Sequence, residues 1–380
     1  MQDVLSVFIV AITLLVVLFL DRSQHKGIKK VLEWIPAILF AYVVPALFTH
    51  IFQLDLSKVF LHGLSKQFIM PLAIIAVMSA LSFRQLKAVG WKPIGVFVSG
   101  SAAVALLPIL LLMIFNNLGE GFREEILEHE YWKGLVTIVG SWIGGSTSQL
   151  VLKELVECPE EIFLIILVMD NVLVNLWTIL MFQFIKRSDQ LNKKLGIPQQ
   201  EIDFIPDEQM SGGKGMKPVL LTIGVCTLAV LLCSFFIDSF LLIILVLSFL
   251  GLALGNFFPK WDHAFVIKGG GYLIILIMAI LGLKLDFSNF SIPAYVLIFS
   301  VIWLILHYAV MMLTAYLMKL DMAWVPISSM ANVGGISTAP AVTKAYNEEL
   351  MPHAILLAIL SMVSGTYWGM LTIYLFGLFF

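Results

Sequence analysis

The sequence contains very little of what a soluble protein requires. Only 13% of its 380 residues are charged, whereas about a quarter is usual in soluble domains. The three cysteines, Cys158, Cys226 and Cys233, have no Cys-x-x-Cys spacing, which argues against a disulfide framework and a zinc site. The formal net charge is −2, so there is no basic excess to hold nucleic-acid phosphates. An ordinary soluble enzyme, a disordered chain and a nucleic-acid-binding protein are therefore excluded.

The sequence also lacks the motifs of membrane enzymes and ATP-driven pumps. It has no His-Glu-x-x-His motif for a zinc protease and no Gly-x-x-x-x-Gly-Lys-Ser/Thr loop for ATP. An aspartyl protease needs two acids that share a site, but Asp170 stands alone within the predicted spans. We predict a protein that is not an enzyme and needs no cofactor beyond a coupling ion.

Long hydrophobic runs are what the sequence has in abundance. Apolar residues make up 60% of the chain, and the mean hydropathy is +0.98. A bilayer core of about 30 Å is crossed by about 20 apolar residues in a helix. The hydrophobic segments that meet this criterion lie near 4–20, 31–52, 68–83, 93–115, 135–156, 162–185, 219–236, 240–258, 266–285, 293–318, 323–345 and 353–379. We predict an all-α, multi-pass integral protein of the cell or cytoplasmic membrane, with about 10–12 transmembrane segments.

A short polar motif occurs twice within these apolar surroundings. Ile143-Gly144-Gly145-Ser146-Thr147-Ser148 recurs as Val333-Gly334-Gly335-Ile336-Ser337-Thr338. The two glycines match at one offset, and the Ser/Thr pair matches at an offset larger by one. This recurrence predicts a two-fold repeat. The first repeat, with an extra N-terminal helix, covers residues 1–185, a polar linker covers 186–217, and the second repeat covers 218–380.

Each Gly-Gly pair predicts an interrupted helix. Glycine lowers helix stability by about 1 kcal/mol relative to alanine, and unwound backbone is tolerated in a membrane only where it is buried in protein or lines a wet cavity. Two interrupted helices in corresponding halves are typical of a transporter's central site. The alternative is that these small residues only allow close helix packing. The candidate ion- or substrate-binding residues here are Gly144, Gly145, Ser146, Thr147, Asn332, Gly334, Gly335, Ser337 and Thr338.

Basic residues predict how the chain is oriented in the membrane. Arg22 and Lys26 follow the first span, which places the N-terminus outside, and six basic residues make the linker 186–217 cytoplasmic. Six crossings before the linker would instead place it outside. The conflict is resolved if each Gly-Gly segment is a re-entrant hairpin that enters and leaves the membrane by the same face. Each half then has five crossings, and the two repeats are inverted relative to each other. The alternative is a broken helix that crosses fully.

Asp170 is the exceptional charge within the spans. In a helix that starts near 162 it lies about 13 Å deep, close to the midplane of a bilayer about 30 Å thick. A carboxylate there costs at least about 2.5–3.5 kcal/mol, so it faces the protein interior and is a functional candidate. It can carry H⁺, or it can bind Na⁺ with the amide oxygens of Asn171 and Asn175. The alternative is a structural acid satisfied by its neighbours.

Several stretches in a fixed order carry a family resemblance. They are 143–149 (IGGSTSQ), Asp170-Asn171, 331–339 (ANVGGISTA), 32–37 (LEWIPA) and 364–369 (SGTYWG). By these motifs the chain resembles the membrane family known as domain of unknown function 819. The resemblance implies kinship with the cation/proton antiporter and anion transporter superfamily, which is built from inverted repeats with interrupted helices. It also implies that Asp170 occupies the place of the ion-binding acid, with Asn171 in place of a second carboxylate.

The function predicted from the sequence is secondary active transport. An H⁺- or Na⁺-coupled carrier would move a small solute, favouring an organic anion, by alternating access. A cation/proton exchanger without organic substrate and a non-transporting membrane scaffold or sensor remain as alternatives. The expected partners are the substrate, the coupling ion and the lipid bilayer, with a homodimer left open and no nucleic acid.

Overall fold

The computed structural model describes residues 2–32, 37–116, 126–197, 216–258, 261–284 and 293–380. The described part of the chain is all-helical, with 86% of its residues in helices and no strand. Ten described helices are long and apolar enough to cross a membrane. The prediction of an all-α, multi-pass membrane protein is confirmed.

Sixteen helices are numbered here in chain order. They are α1 Gln2–Arg22, α2 Lys26–Leu32, α3 Ala37–Ile51, α4 Phe60–Met78, α5 Phe83–Val89, α6 Trp91–Asn116, α7 Tyr131–Leu155, α8 Glu160–Ile185, α9 Ser188–Leu195, α10 Met216–Phe236, α11 Phe240–Phe257, α12 His263–Gly282, α13 Ala294–Leu317, α14 Trp324–Val333, α15 Gly335–Lys344 and α16 Met351–Phe379.

The span predicted at 323–345 forms the two short helices α14 and α15, and two further predicted spans differ from the helices that form. The span predicted at 68–83 is α4, which begins at Phe60 and ends at Met78. The prediction began too late because Lys66 interrupts the apolar run, but its ammonium lies over the ring of Phe240 at 5.4 Å, where a cation–π contact compensates the charge. The span predicted at 31–52 contains the end of α2 and the whole of α3, and residues 33–36 lie outside the described part of the chain.

The helices divide into two compact units. Unit 1 comprises Met1–Ala80, Pro159–Ile165 and Met210–Ser291, and unit 2 comprises Leu81–Cys158, Ile166–Gln209 and Ile292–Phe380. Each unit therefore draws on segments from both sides of the polar linker. Both units contain residues of each predicted repeat, and the division of the chain into two sequential repeats stays a prediction.

Close backbone approach at glycines holds the helices of unit 1 together. A Cβ added to Gly255 would meet the backbone of Ser79, and one added to Gly282 would meet the carbonyl of Tyr42. Only a residue without a side chain permits such contacts between α11 and the end of α4 and between α12 and α3, as small residues do in membrane helix packing generally.

The first part of the predicted linker is a helix anchored within unit 2. The amide of Asn192, on α9, donates to Asp321 at 2.8 Å, and its carbonyl accepts from the backbone N–H of Met322 at 2.9 Å. The hydroxyl of Tyr346 donates to Asp189 at 2.8 Å. Burial, followed by this bond, raises the pKa of the Tyr346 phenol above its usual range. Linker residues 198–215 lie outside the described residues.

Candidate functional site

The second glycine of each motif has a backbone conformation that other residues rarely adopt. Gly145 interrupts α7 with φ +66° and ψ −165°, and Gly335, at the junction of α14 and α15, has φ +70°. Glycine reaches positive φ without the steric cost of a Cβ. The same departure from helical geometry therefore occurs at the matching position of both motifs, in unit 2.

The first glycine of each motif is needed for a different reason. A Cβ on Gly144 would meet the hydroxyl of Ser148, and a Cβ on Gly334 would meet the hydroxyl of Thr338. In both motifs the side chain four residues later thus folds back onto the first glycine. The hydroxyls that do so match at the same offset as the glycines, so Ser148, rather than the predicted Thr147, is the structural counterpart of Thr338.

Asp170 is buried against the residues that precede the first interruption. Its side chain is 5% exposed. One carboxyl oxygen accepts a hydrogen bond from the hydroxyl of Ser141, and the other accepts from the indole N–H of Trp142 at 2.5 Å. Both donors lie on α7, just before Gly144. Both donors are neutral, and within the described part of the chain they are the polar partners of Asp170.

Asn332 organises a second polar cluster beside the second interruption. Its side-chain oxygen accepts from Ser101 at 2.9 Å and from Ser361 at 3.2 Å, and its amide donates to the carbonyl of Phe97 at 3.2 Å. The hydroxyl of Ser361 also contacts the carbonyl of Ile143, the residue directly before Gly144. The two clusters are therefore connected through consecutive residues of α7.

The two clusters have corresponding positions in the sequence. Trp142 pairs with Asp170, 28 residues later, and Asn332 pairs with Ser361, 29 residues later. In each case a single residue separates the first partner from a Gly-Gly pair, and the second partner lies on the following long helix. Asp170 in the first half therefore corresponds to Ser361 in the second half.

Polar groups near the interruptions are buried without a hydrogen-bond partner among the described residues. They are the hydroxyls of Thr147, Ser328 and Thr338 and the amide nitrogen of Gln149. Buried polar groups are nearly always satisfied by protein, water or ligand. Thr147 and Thr338 belong to the predicted motifs, so this part of unit 2 has capacity to bind further polar groups.

The remaining predicted residues lie in less enclosed positions. Asn171 and Asn175 are half-buried, and the amide of Asn175 donates to the backbone carbonyl of Asn171 at 2.9 Å. Adjacent residues on a helix point about 100° apart, so Asn171 projects to another side of α8 than Asp170. Ser146 is half-buried, and the side chain of Ser337 lies outside the described part of the structure. The predicted Na⁺ site at Asp170 and Asn171 stays a prediction.

Aromatic side chains enclose Asp170 and its partners. Trp142 packs against Trp303 of α13, with ring centroids 4.6 Å apart. Farther along α8, the indole N–H of Trp177 donates to the hydroxyl of Ser329 at 2.9 Å, and its ring meets Tyr308 edge-on at 5.6 Å. The aromatic packing of Trp142 supports one of the two donors to Asp170, whose side chain is itself buried.

The candidate residues predicted from the sequence did not include the hydrogen-bond partners of Asp170 and Asn332. Ser141 and Trp142 bind Asp170, and Ser101 and Ser361 bind Asn332. A signal for three of these was available, because Ser141 and Trp142 directly precede the first motif and Ser361 matches Asp170 at the offset of the Ser/Thr pair. Ser101 lies in no motif, and nothing in the sequence distinguishes it from the other serines of the spans.

The chain belongs to the family described as protein of unknown function (DUF819), whose model matches residues 7–378. The expected family is therefore confirmed over nearly the whole chain. A comparison with curated proteins finds no match.

Proposed function

We propose that this DUF819 family member is a secondary active transporter in which Asp170 carries a proton. The observation that supports this most strongly is a buried carboxyl group held by two neutral donors, next to an interrupted helix. Intramembrane acids are costly and mark ion or proton pathways. The mechanism that we propose is alternating access, with one compact unit moving relative to the other.

The partners of Asp170 favour H⁺ over Na⁺ as the coupling ion. A sodium ion, like other hard cations, is bound by several oxygen ligands. The indole N–H of Trp142 is a donor only and cannot bind a cation, yet it occupies one carboxyl oxygen. A proton requires no such set of ligands, because it is held by the carboxyl group itself.

The two glycine interruptions and the hydroxyls around them would hold the solute. Free N–H groups at a half-helix start attract anions, and free carbonyls at a half-helix end attract cations. The unpartnered hydroxyls of Thr147 and Thr338 would supply further hydrogen bonds. We therefore favour a small organic anion as the solute over an exchange of cations alone.

Recurring geometry supports the proposal of two inverted repeats. The positive φ values and the hydroxyl–glycine contacts recur at one common sequence offset. If an odd number of membrane crossings separates equivalent helices of the two halves, the second half has the opposite orientation in the membrane.

The experiment is uptake into liposomes that contain the purified protein. Imposed pH and Na⁺ gradients are applied separately while pooled metabolites are screened for accumulation. We expect accumulation with the pH gradient and none with the Na⁺ gradient alone. Asp170→Asn should abolish gradient-driven accumulation, while Asp55→Asn, which changes an exposed loop carboxyl, should leave it unchanged.

Three outcomes would contradict the proposal. Accumulation driven by the Na⁺ gradient alone would show that Na⁺ is the coupling ion. Uptake by Asp170→Asn that still depends on the pH gradient would show that Asp170 does not carry the coupling proton. Absence of transport for every solute and ion gradient, with a folded protein, would favour the membrane scaffold or sensor.

A further inference from the structure

A large apolar cavity lies entirely within unit 1, apart from the candidate transport site. Its volume is about 540 Å³, within the range of about 300–1,000 Å³ that is typical of small-molecule pockets. Helices α1, α4, α10 and α12 contribute its walls, and the lining side chains are almost all apolar. Such a composition suits a hydrocarbon chain rather than a polar solute.

One wall of the cavity runs along a single face of α1. Leu14, Leu18 and Arg22 line it at intervals of four residues, which places them above one another on the helix. The interval from Leu14 to Arg22 spans about 12 Å. This depth is close to that of one leaflet, since the hydrocarbon core of the whole bilayer is about 30 Å thick.

Arg22 places a positive charge at the outer end of this wall. The candidate span of α1 ends at Leu20, so Arg22 lies just beyond it, at the level of lipid headgroups, and its side chain is exposed. Basic residues at this level attract anionic lipids. The cavity therefore combines an apolar interior of leaflet depth with a cationic mouth.

Thr222 adds a polar group that has no partner in the described protein. It lines the cavity, is 1% exposed, and its hydroxyl lacks a hydrogen bond among the described residues. The span of α10 begins at Pro218, so Thr222 lies about 6 Å below that end. In a phospholipid, the ester carbonyls lie between the headgroup and the chains, where this hydroxyl could donate to them.

We propose that this cavity binds one anionic phospholipid of the bilayer. An acyl chain fills the space between α1, α10 and α12, the phosphate lies at Arg22, and an ester carbonyl accepts from Thr222. This site is independent of the proposed transport site, because Asp170 and both Gly-Gly motifs belong to unit 2.

Two glycines of α12 provide a matched test of the occupied space. Gly269 lines the cavity, whereas Gly271 does not. A Cβ added to either glycine meets no atom within 4 Å, so the first atom of a side chain is accommodated at both positions. Gly269→Leu should fill the cavity and displace the lipid, and Gly271→Leu should leave the lipid bound. Native mass spectrometry of the full-length protein in detergent counts the lipids retained.

The probes are phosphatidylglycerol and phosphatidylcholine with identical acyl chains, together with free oleate. We expect selective retention of phosphatidylglycerol. Arg22→Gln should weaken it about fivefold, because one basic residue at the membrane surface contributes about 1 kcal/mol to this attraction. Thr222→Val should reduce retention of both phospholipids without changing the preference between them.

The proposal would be overturned by equal retention of the two phospholipids in the unchanged protein, or by oleate displacing both. Equal retention by Gly269→Leu and Gly271→Leu would place the lipid elsewhere. Arg22 is exposed, so Arg22→Gln remains an informative variant even if Gly269→Leu fails to fold.

Discussion

Replacing the first glycine of either motif by alanine should destabilise the protein, but a companion substitution should rescue only the second motif. At Gly334 the added Cβ would meet the hydroxyl of Thr338 and the terminal methyl of Met330, with the Cβ of Thr338 at 3.0 Å. The methionine end can move aside. Thr338→Ala removes the hydroxyl, which has no partner among the described residues, so the double variant should regain most of the lost stability.

The first motif lacks this remedy. A Cβ on Gly144 would meet the Cβ of Ser148 as well as its hydroxyl, and the Cα of Gly365 would lie 3.0 Å away. Ser148→Ala keeps the offending Cβ, and the backbone of α16 cannot move without displacing the helix. Ser148→Ala also loses the hydrogen bond that Thr366 donates at 3.0 Å. The double variant should therefore stay as unstable as Gly144→Ala.

The three cysteines are buried and form no disulfide, so a thiol-reactive dye in a thermal ramp reports unfolding. Overpacking costs about 1–3 kcal/mol, and 1 kcal/mol lowers Tm by about 2–4 °C in a unit of roughly 150–250 residues. Each single glycine variant should thus lose about 2–12 °C. The reasoning is refuted if Ser148→Ala restores Gly144→Ala, or if Thr338→Ala fails to restore Gly334→Ala.

Five further substitutions test neighbouring features by the same thermal assay. Gly145→Ala and Gly335→Ala should each cost about 1–3 kcal/mol from their backbone conformation alone, since both have positive φ and a Cβ at either position meets no atom within 4 Å. An unchanged Tm would contradict the backbone geometry. Gly365→Ala should destabilise strongly, because its Cβ would meet the backbone of α7, whereas Gly224→Ala, with open space around it, should be neutral or stabilising. Trp177→Phe removes the donor to the α14 serine and should cost about 0.5–1.5 kcal/mol; a larger loss would implicate ring packing instead.

The helices could be predicted from sequence because hydrophobic length is a strong local signal. Two deviations have local causes: Lys66 finds an aromatic ring, and the span predicted at 31–52 takes in two helices rather than one. The compact units could not be predicted, because each combines segments that are far apart along the chain. No periodicity in the sequence reports which spans pack together.

The candidate site was predictable where a residue is unusual in its surroundings. Asp170 is a lone acid in an apolar helix, and the glycine pairs recur. The only sequence signal for the partners of Asp170 is that Ser141 and Trp142 directly precede the first motif, because their contact with the acid depends on how α7 and α8 pack. The amide nitrogen of Asn175 donates to the backbone of its own helix, and the role predicted for its amide oxygen beside Asp170 stays a prediction.

Infrared difference spectroscopy of the protein in lipid, between acidic and alkaline buffer, tests the central claim most directly. If Asp170 carries the proton, the spectrum should contain a protonated-carboxyl component that appears in acid, disappears in alkali and is missing from Asp170→Asn, which keeps only the contribution of the other Asp and Glu side chains. Trp142→Phe removes one donor to the ionised carboxyl and should extend the band to more alkaline buffer. A spectrum that is identical in the unchanged protein and in Asp170→Asn would contradict the claim that this acid exchanges a proton.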